Sequence, residues 1–197
     1  MLSKAERTKQ FIIEKTGPVF NKKGFTGTSL NDIISVTGLT KGSIYGNFES
    51  KDEVALAAFD YNFELVVAHI RKKMEVRTSI IDRLLVYPET YRNFLKTPFL
   101  LNGCPVANTS TEADDTHPLL KEKAANAMLF WRSSIERQLK VGIENKELKA
   151  DINIQEVTSV LVGLIHGGIL QAKVTGKMSY LNASMDFLER MIRELKK

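Results

Sequence analysis

Between Thr28 and Lys51 the chain reads TSLNDIISVTGLTKGSIYGNFESK, in which one short helix is started, stopped, and followed at once by two more helix starts. Ser29 has the side-chain oxygen that caps a helix N-terminus. Asp32 stands three positions on, where a capping box places its acid, and Ile33, Ile34 and Val36 supply an apolar face. This pattern predicts a helix over about Leu30 to Thr37. Gly38 takes the C-terminal position because it has no Cβ to oppose left-handed dihedrals, and Leu39 is expected to drop between the helices. Thr40 caps the next helix, in which Ile44 and Phe48 lie four apart on one buried face and leave Lys41, Gly42, Ser43, Tyr45, Gly46 and Asn47 pointing outward. Ser50 and Glu53 read as a further capping box, so a third helix begins immediately.

The run Gly38-Leu39-Thr40-Lys41-Gly42-Ser43-Ile44-Tyr45-Gly46-Asn47-Phe48-Glu49-Ser50-Lys51 closely resembles the signature of the TetR family of bacterial transcriptional regulators. Two departures stand out. The positions before Phe48 are often aromatic and His in the family and here are Gly46 and Asn47, so Gly46 removes a side chain from the recognition surface. Gly17-Pro18 falls inside the expected first helix, where proline costs ~3 kcal/mol and predicts a kink, with Val19 and Phe20 still docking on the motif. The resemblance implies an all-α fold of about nine helices. Residues 1–50 would form a three-helix DNA-binding domain of helix-turn-helix type and residues 51–197 a helical ligand-binding and dimerisation domain. The implied partners are an operator in double-stranded DNA, a second copy of the chain and a small hydrophobic or aromatic effector, with no cofactor.

The chemistry of the side chains distributes the expected DNA contacts. Thr28, Ser29, Thr40 and Lys51 stand at helix starts, where backbone N–H groups and a hydroxyl or ammonium suit phosphate oxygens; for Thr28 and Ser29 plain helix capping is the competing role. Tyr45 and Asn47 resemble the family's phosphate-binding positions, with packing of the Tyr45 ring on the core as the competing role. Lys41, Gly42 and Ser43 would face base edges, with Lys41 best suited to guanine O6 and N7.

Length and composition agree. The chain has 197 residues, 43% of them hydrophobic, and a net charge of +5. Residues 1–52 carry eight Lys and Arg against five Asp and Glu, so three of the excess charges fall there, a modest asymmetry that would not by itself indicate nucleic acid. No apolar run approaches the ~20 residues that span a bilayer, and the N-terminus lacks a signal-peptide core, so a cytoplasmic location is expected. No phosphate loop, nucleophile elbow, HExxH or paired-cysteine motif points to an enzyme. His69, His117 and His166 have no metal-ligand spacing with Cys104 or with one another.

The rest of the chain reads as helices: one long connecting helix from Lys51 to about Val76, one over Ile80 to Lys96 interrupted near Pro88, a short one after the Asn102–Pro105 turn, and a long one ending near Asn145. Val157 to Ala172 is apolar on more than one side and contains Gly163, Gly167 and Gly168. The last helix shows Leu181, Met185, Leu188, Ile192 and Leu195 at a 4-3-4-3 spacing suited to helix pairing. These two helices, through Leu161, Leu164, Gly168, Leu181, Met185, Leu188 and Ile192, are expected to form a four-helix dimer interface; the competing reading is that both seams close a bundle within one chain. Among the aromatic residues Trp131 and Phe94 are the first candidates for an effector pocket, with Cys104 and His166 as further candidates. Cys104, beside Gly103 and Pro105, also raises the alternative of a thiol sensor of oxidants or electrophiles, against the plainer reading of a buried inert thiol. His166 is more easily read as a satisfied core histidine. A DNA-organising protein without an effector is a third class, and repression is the default mode because occupying a promoter needs no further contacts.

Overall fold

The computed structural model describes residues 3–197. The described residues form nine α-helices: α1 (Lys4–Lys23), α2 (Leu30–Thr37), α3 (Lys41–Tyr45), α4 (Lys51–Glu75), α5 (Ile80–Arg92), α6 (Pro105–Ala113), α7 (Pro118–Glu144), α8 (Ile154–Thr175) and α9 (Met178–Glu194). Two 3-10 turns, Phe94–Lys96 and Pro98–Leu100, follow α5. The only strand-like pairing among the described residues is an isolated bridge between Leu148 and Lys196.

The chain divides into two compact units, and the division departs from the boundary expected at residue 50. The first unit comprises the residues up to Val66 together with Asn102–Asn126; the second comprises Val67–Leu101 and Ala127–Lys197. The reason is a set of polar bonds between residues far apart in sequence. Asn21 Nδ2 donates to the Gly103 carbonyl at 3.1 Å, and Asn108 Nδ2 donates to Asn21 Oδ1 at 2.8 Å. The Glu112 carboxylate accepts the backbone N–H groups of Phe25 and Thr26 at 3.0 and 2.9 Å. Helix α6 is thereby bound to the end of α1 and the turn after it. A Cβ at Gly24, which has φ +72°, would overlap that carboxylate, so the turn needs glycine there for both space and backbone.

The first unit is built on the buried cluster of Ile12, Phe20, Ile33, Ile44, Phe48, Val54, Ala55 and Ala58. Helix α1 runs through Gly17-Pro18 as one element from Lys4 to Lys23. Pro18 is exposed, so the Glu14 carbonyl that loses its usual partner lies on the solvent side. Phe20 is buried as expected and Val19 half-buried. Gly17 allows α4 to come close: a Cβ there would stand 2.9 Å from Asn62 Oδ1, and Asn62 Nδ2 donates to the Gly17 carbonyl at 2.8 Å.

In the second unit α9 packs against α8 and α5. Leu181, Met185, Leu188 and Ile192 are fully buried within the chain, and Leu161 with them. The 4-3-4-3 seam therefore faces inward, and these residues are not the dimer surface expected of them. Gly168 belongs to the same intramolecular contact, since a Cβ there would meet Leu181 Cδ1 at 3.0 Å and Ser184 Cβ at 3.2 Å. A periodic apolar stripe needs cover, and here the cover comes from the same chain. Arg92 adds ion pairs from α5 to Asp186 and Glu189 of α9, each at 2.8 Å. The opposite sides of the pair remain open: Leu170 is 57% exposed, Val174 77%, Tyr180 41% and Phe187 49%. No atom lies within 4 Å of a Cβ built on Gly163 or Gly167, and Leu164 is half-buried.

Helix α8 is also the one helix among the described residues long and apolar enough to cross a membrane, with a mean hydropathy of 1.4, which goes beyond the expectation that no run approaches that length. Its buried face, Leu161, Ile165 and Ile169, packs inside the second unit.

Because Asn62 is fixed by its bond to Gly17, it cannot swing away from a new methyl group. Gly17→Ala is expected to destabilise the protein by about 1–3 kcal/mol through overpacking, against the usual gain of alanine over glycine in a helix. Urea unfolding of the two proteins measures it; an unchanged or higher midpoint would show that the α1–α4 approach has slack.

Candidate nucleic-acid interface

Helix α2 starts as its sequence requires. The Ser29 side chain accepts from the Asp32 backbone N–H at 3.1 Å, and Asp32 accepts from the Ser29 N–H at 2.9 Å. Lys23 Nζ pairs with Asp32 at 2.6 Å. That bond, followed by those from Ser29, holds the Asp32 carboxyl down at a pKa of about 2. Helix α2 stops at Gly38, which is left-handed at φ +67° and donates to the Ile34 carbonyl. After Leu39, Thr40 caps α3 by accepting from the Ser43 N–H at 3.2 Å.

Helix α3 is only five residues long, Lys41 to Tyr45. Its inward side is Ile44, fully buried, with Phe48 of the following turn buried beside it. Thr40, Lys41, Gly42 and Gly46 are exposed, and Ser43, Tyr45 and Asn47 are half-buried. Nothing but the Thr40 hydroxyl, at 4.0 Å, comes near a Cβ built on Gly42. Asn47 folds back, donating from Nδ2 to the Ser43 carbonyl at 2.8 Å. That bond occupies one of its amide hydrogens and leaves the other, with Oδ1, for a partner outside the chain. At the start of α3 the structure thus brings together an exposed hydroxyl, an ammonium and bare backbone, a set suited to the edge of a DNA groove.

Two expected phosphate contacts are placed elsewhere. Thr28 is 0% exposed and its hydroxyl donates to the Gly24 carbonyl at 2.6 Å, so it closes the turn before α2 and has no route to a phosphate. Lys51 is half-buried, with Nζ donating to the Phe25 and Thr28 carbonyls at 2.9 and 3.1 Å and lying 4.0 Å from the centroid of the Phe25 ring. An ammonium has three donors, and two carbonyls and one ring face account for them. Lys51 is a staple that ties the turn before α2 to the start of α4. Ser29, by contrast, is exposed, though its oxygen is already used in the cap.

The frame that holds the reader contains residues no local pattern announces. Lys9 pairs with Glu53 at 2.7 Å and its ammonium lies 4.7 Å from the Phe48 ring centroid. Glu53 reaches back to the Glu49 N–H at 2.7 Å rather than to Ser50, one residue beyond the expected capping box. His117 sets its ring edge-on to Phe25 at 4.5 Å. Phe25 is thus held by Lys51, His117 and, through its N–H, Glu112.

Of the residues expected around an effector, Trp131 lines a cavity of about 290 Å³ walled by residues of α4, α5 and α7 in the second unit. The His166 ring lies 5.5 Å from that of Trp131, tilted by 33°, without lining the cavity, and burial lowers its pKa to about 4, so the ring is neutral near pH 7. Phe94 is buried core and does not line it, and Cys104, the 1%-exposed cap residue of α6, belongs to the first unit. Tyr87 and Phe130 do line it.

A helix-turn-helix with an exposed second-helix N-terminus, joined to a separate helical unit with its own cavity, defines a class of DNA-binding regulators. The family model for bacterial regulatory proteins of the tetR family matches residues 12–58, and that for the tetracyclin repressor-like C-terminal domain matches residues 81–188. The crystal structure of a TetR-family transcriptional regulator from Cytophaga hutchinsonii shares 42% identity with this chain at a TM-score of 0.95, over 100% of this chain and 98% of that one. An HTH-type transcriptional regulator from the lacX 3' region of Lactococcus lactis subsp. lactis is 26% identical over 92% of this chain and 91% of its own length. The HTH-type transcriptional repressor DhaR from a Mycobacterium is 23% identical over 84% of this chain and 82% of its own. The chain belongs to the TetR family of transcriptional regulators.

If Lys51 is a staple, Lys51→Met should lower stability by about 1.5–3 kcal/mol, the worth of hydrogen bonds to a charged group. At a temperature where the variant is fully folded, the salt dependence of DNA binding should match that of the parent. A log–log slope lower by about one unit would restore a phosphate contact to Lys51.

Proposed function

We propose that this protein is a cytoplasmic repressor that binds a palindromic operator as a homodimer and releases it when a small hydrophobic or aromatic molecule occupies the cavity lined by Trp131. The observation that carries the DNA reading is the start of α3: Thr40, Lys41 and Gly42 are exposed while Ile44 and Phe48 are buried behind them. Lys41 reads base edges together with Ser43. Thr40, Tyr45, Asn47 and the exposed end of Ser29 position the phosphate backbone, and Gly42 and Gly46 let the α3 backbone approach closely.

The surface that supports a dimer is the open side of α8 and α9. Gly163, Leu164, Gly167, Leu170 and Val174 form a helical stripe on α8, and Tyr180 and Phe187 continue it on α9. This is the reverse of the faces that the spacing of leucines favours. Small residues allow two helices to approach, and the large exposed apolar groups supply area to bury. A dimer sets two α3 helices about one helical turn of DNA apart, ~34 Å, to enter successive major grooves. Effector release is a shift between two dimer geometries, only one of which matches the operator, and it requires the ligand to prefer the other.

Repression needs only that the operator be occupied, and the relative DhaR is itself named a repressor. The thiol-sensing alternative through Cys104 gains little, because a cysteine 1% exposed is shielded from oxidants and electrophiles. An enzyme gains nothing from membership of a regulatory family.

DNA fragments selected by the protein from a genomic library provide the test. The operator should contain an inverted repeat and bind two protomers. Lys41→Ala should weaken operator binding by about 1–3 kcal/mol while changing random-sequence binding little; equal losses on both DNAs would remove Lys41 from base reading. A charge on the open stripe, Leu170→Asp, should give a folded monomer, by sedimentation and circular dichroism, that has lost tight operator binding. A Leu170→Asp protein that stays dimeric would move the interface elsewhere.

A further inference from the structure

The cavity lined by Trp131 has an excess of positive charge. Arg71 from α4, Arg83 from α5 and Arg137 from α7 all line it, and Glu75 is the one carboxylate among the lining residues. Three other arginines of the unit have carboxylate partners: Arg77 has Glu89 at 3.0 Å, Arg92 has Asp186 and Glu189, and Arg132 has Glu136 at 3.8 Å. Among the described residues no carboxylate lies within ion-pair distance of Arg71, Arg83 or Arg137; Arg83 donates from Nε to the Arg77 carbonyl at 3.1 Å, which fixes its guanidinium without cancelling its charge. Three cations against one anion leave the lining at +2.

The floor is aromatic and rigid. Tyr87 and Trp131 are both buried, and Trp131 has Tyr91 edge-on at 5.6 Å and the tilted ring of His166 at 5.5 Å. Tyr87 donates to Ser134 Oγ at 3.4 Å, so a hydroxyl pair also faces the cavity. The volume, about 290 Å³, lies at the small end of the ~300–1,000 Å³ typical of small-molecule sites. A compact planar molecule fits the floor, and a carboxylate on it would find what the protein itself does not supply to these guanidiniums. A guanidinium fork donates two parallel hydrogen bonds to a carboxylate, stronger than neutral ones.

We infer that this cavity takes a small aromatic carboxylate, its ring on Trp131 and Tyr87 and its carboxylate held among Arg71, Arg83 and Arg137. The inference rests on the proposal that this cavity is the effector site, and names the chemical class of the effector.

Trp131 is the chain's single tryptophan, so its fluorescence reports this cavity alone. Titrating the full-length protein with 2-naphthoate should change that fluorescence saturably, with affinity at least about tenfold greater than for the isosteric neutral 2-naphthamide. Raising salt should narrow the gap, because the guanidiniums are partly exposed. Arg71→Gln with Arg137→Gln, both at exposed positions, should abolish the preference for the acid while leaving the circular dichroism and the weaker amide binding in place. Glu75→Gln, which removes the one opposing charge, should tighten naphthoate several-fold, a gain that misfolding cannot imitate. Equal affinities for acid and amide, a preference that survives the double substitution, or no response to naphthoate at millimolar concentration would each overturn the inference. Operator release separates the two claims. Naphthoate that saturates Trp131 yet leaves the operator bound supports the ligand class and removes the effector role. Release by amide as readily as by acid keeps the effector role and overturns the preference for an anion.

Discussion

Everything the reader presents outward depends on the burial of Ile44 and Phe48. A helix of five residues has no stability of its own, since nucleation costs more than so few hydrogen bonds return. Helix α3 exists because Ile44 is sealed against Ile12, Ile33 and Val54 in one cluster and Phe48 closes the far end of the turn. The cap at Thr40 and the amide of Asn47 on the Ser43 carbonyl then satisfy the two ends. With the inner side fixed this firmly, the outer side is free to be small and polar without loss of shape. The Phe25 turn serves the same end: Lys51, Glu112 and His117 converge on it from α4, α6 and the start of α7, so the approach to α2 is held by groups supplied from elsewhere in the chain.

How much of this was legible in sequence follows from the range of each interaction. Caps and stops are local, and Ser29, Gly38 and Thr40 do what their neighbours in sequence imply. The Ile44–Phe48 face follows from helical spacing alone. Lys51 is different. A lysine at a helix start beside a DNA-reading motif has the chemistry of a phosphate ligand, and only the fold reveals two carbonyls and a ring, 23 to 26 residues back, waiting for its ammonium. Glu112 is bound to a turn 86 and 87 residues away, and no spacing rule reaches so far. Thr28 was ambiguous between capping and binding because a hydroxyl serves either; its burial decides for the turn.

The last helix marks a second limit. Leu181, Met185, Leu188 and Ile192 state correctly that one face of α9 is covered, and the pattern holds whether the cover is a neighbouring helix or another protomer. The open face carries weaker punctuation: Tyr180 and Phe187 on α9, and glycines with Leu170 and Val174 on α8. Its apolar groups are fewer and mixed with small residues, which is what separates a surface that must also survive in water from a core. Glycine in the α8 sequence signals close approach of something, but its identity lies in which of three glycines is occupied. Gly168 is filled by α9, and among the described residues nothing beyond the helix's own backbone comes within 4 Å of a Cβ built on Gly163 or Gly167.

The sparse outer side of α3 has a physical consequence for how such a protein would discriminate among DNA sequences. Two of its exposed positions, Gly42 and Gly46, have no side chain, and Asn47 is partly spent on the helix itself. On the proposed reading, base-specific hydrogen bonds fall to Lys41 and Ser43, and a lysine, a point charge with rotatable donors, discriminates less sharply than a planar guanidinium or amide fork. What remains is close backbone approach, which rewards a groove of the right width, and phosphate contacts, which reward any DNA. A reader of this composition gains affinity from charge and shape more than from individual bases. In the proposed homodimer its selectivity would depend on the spacing of two heads over a repeat, which would make the geometry of the dimer part of the recognition code.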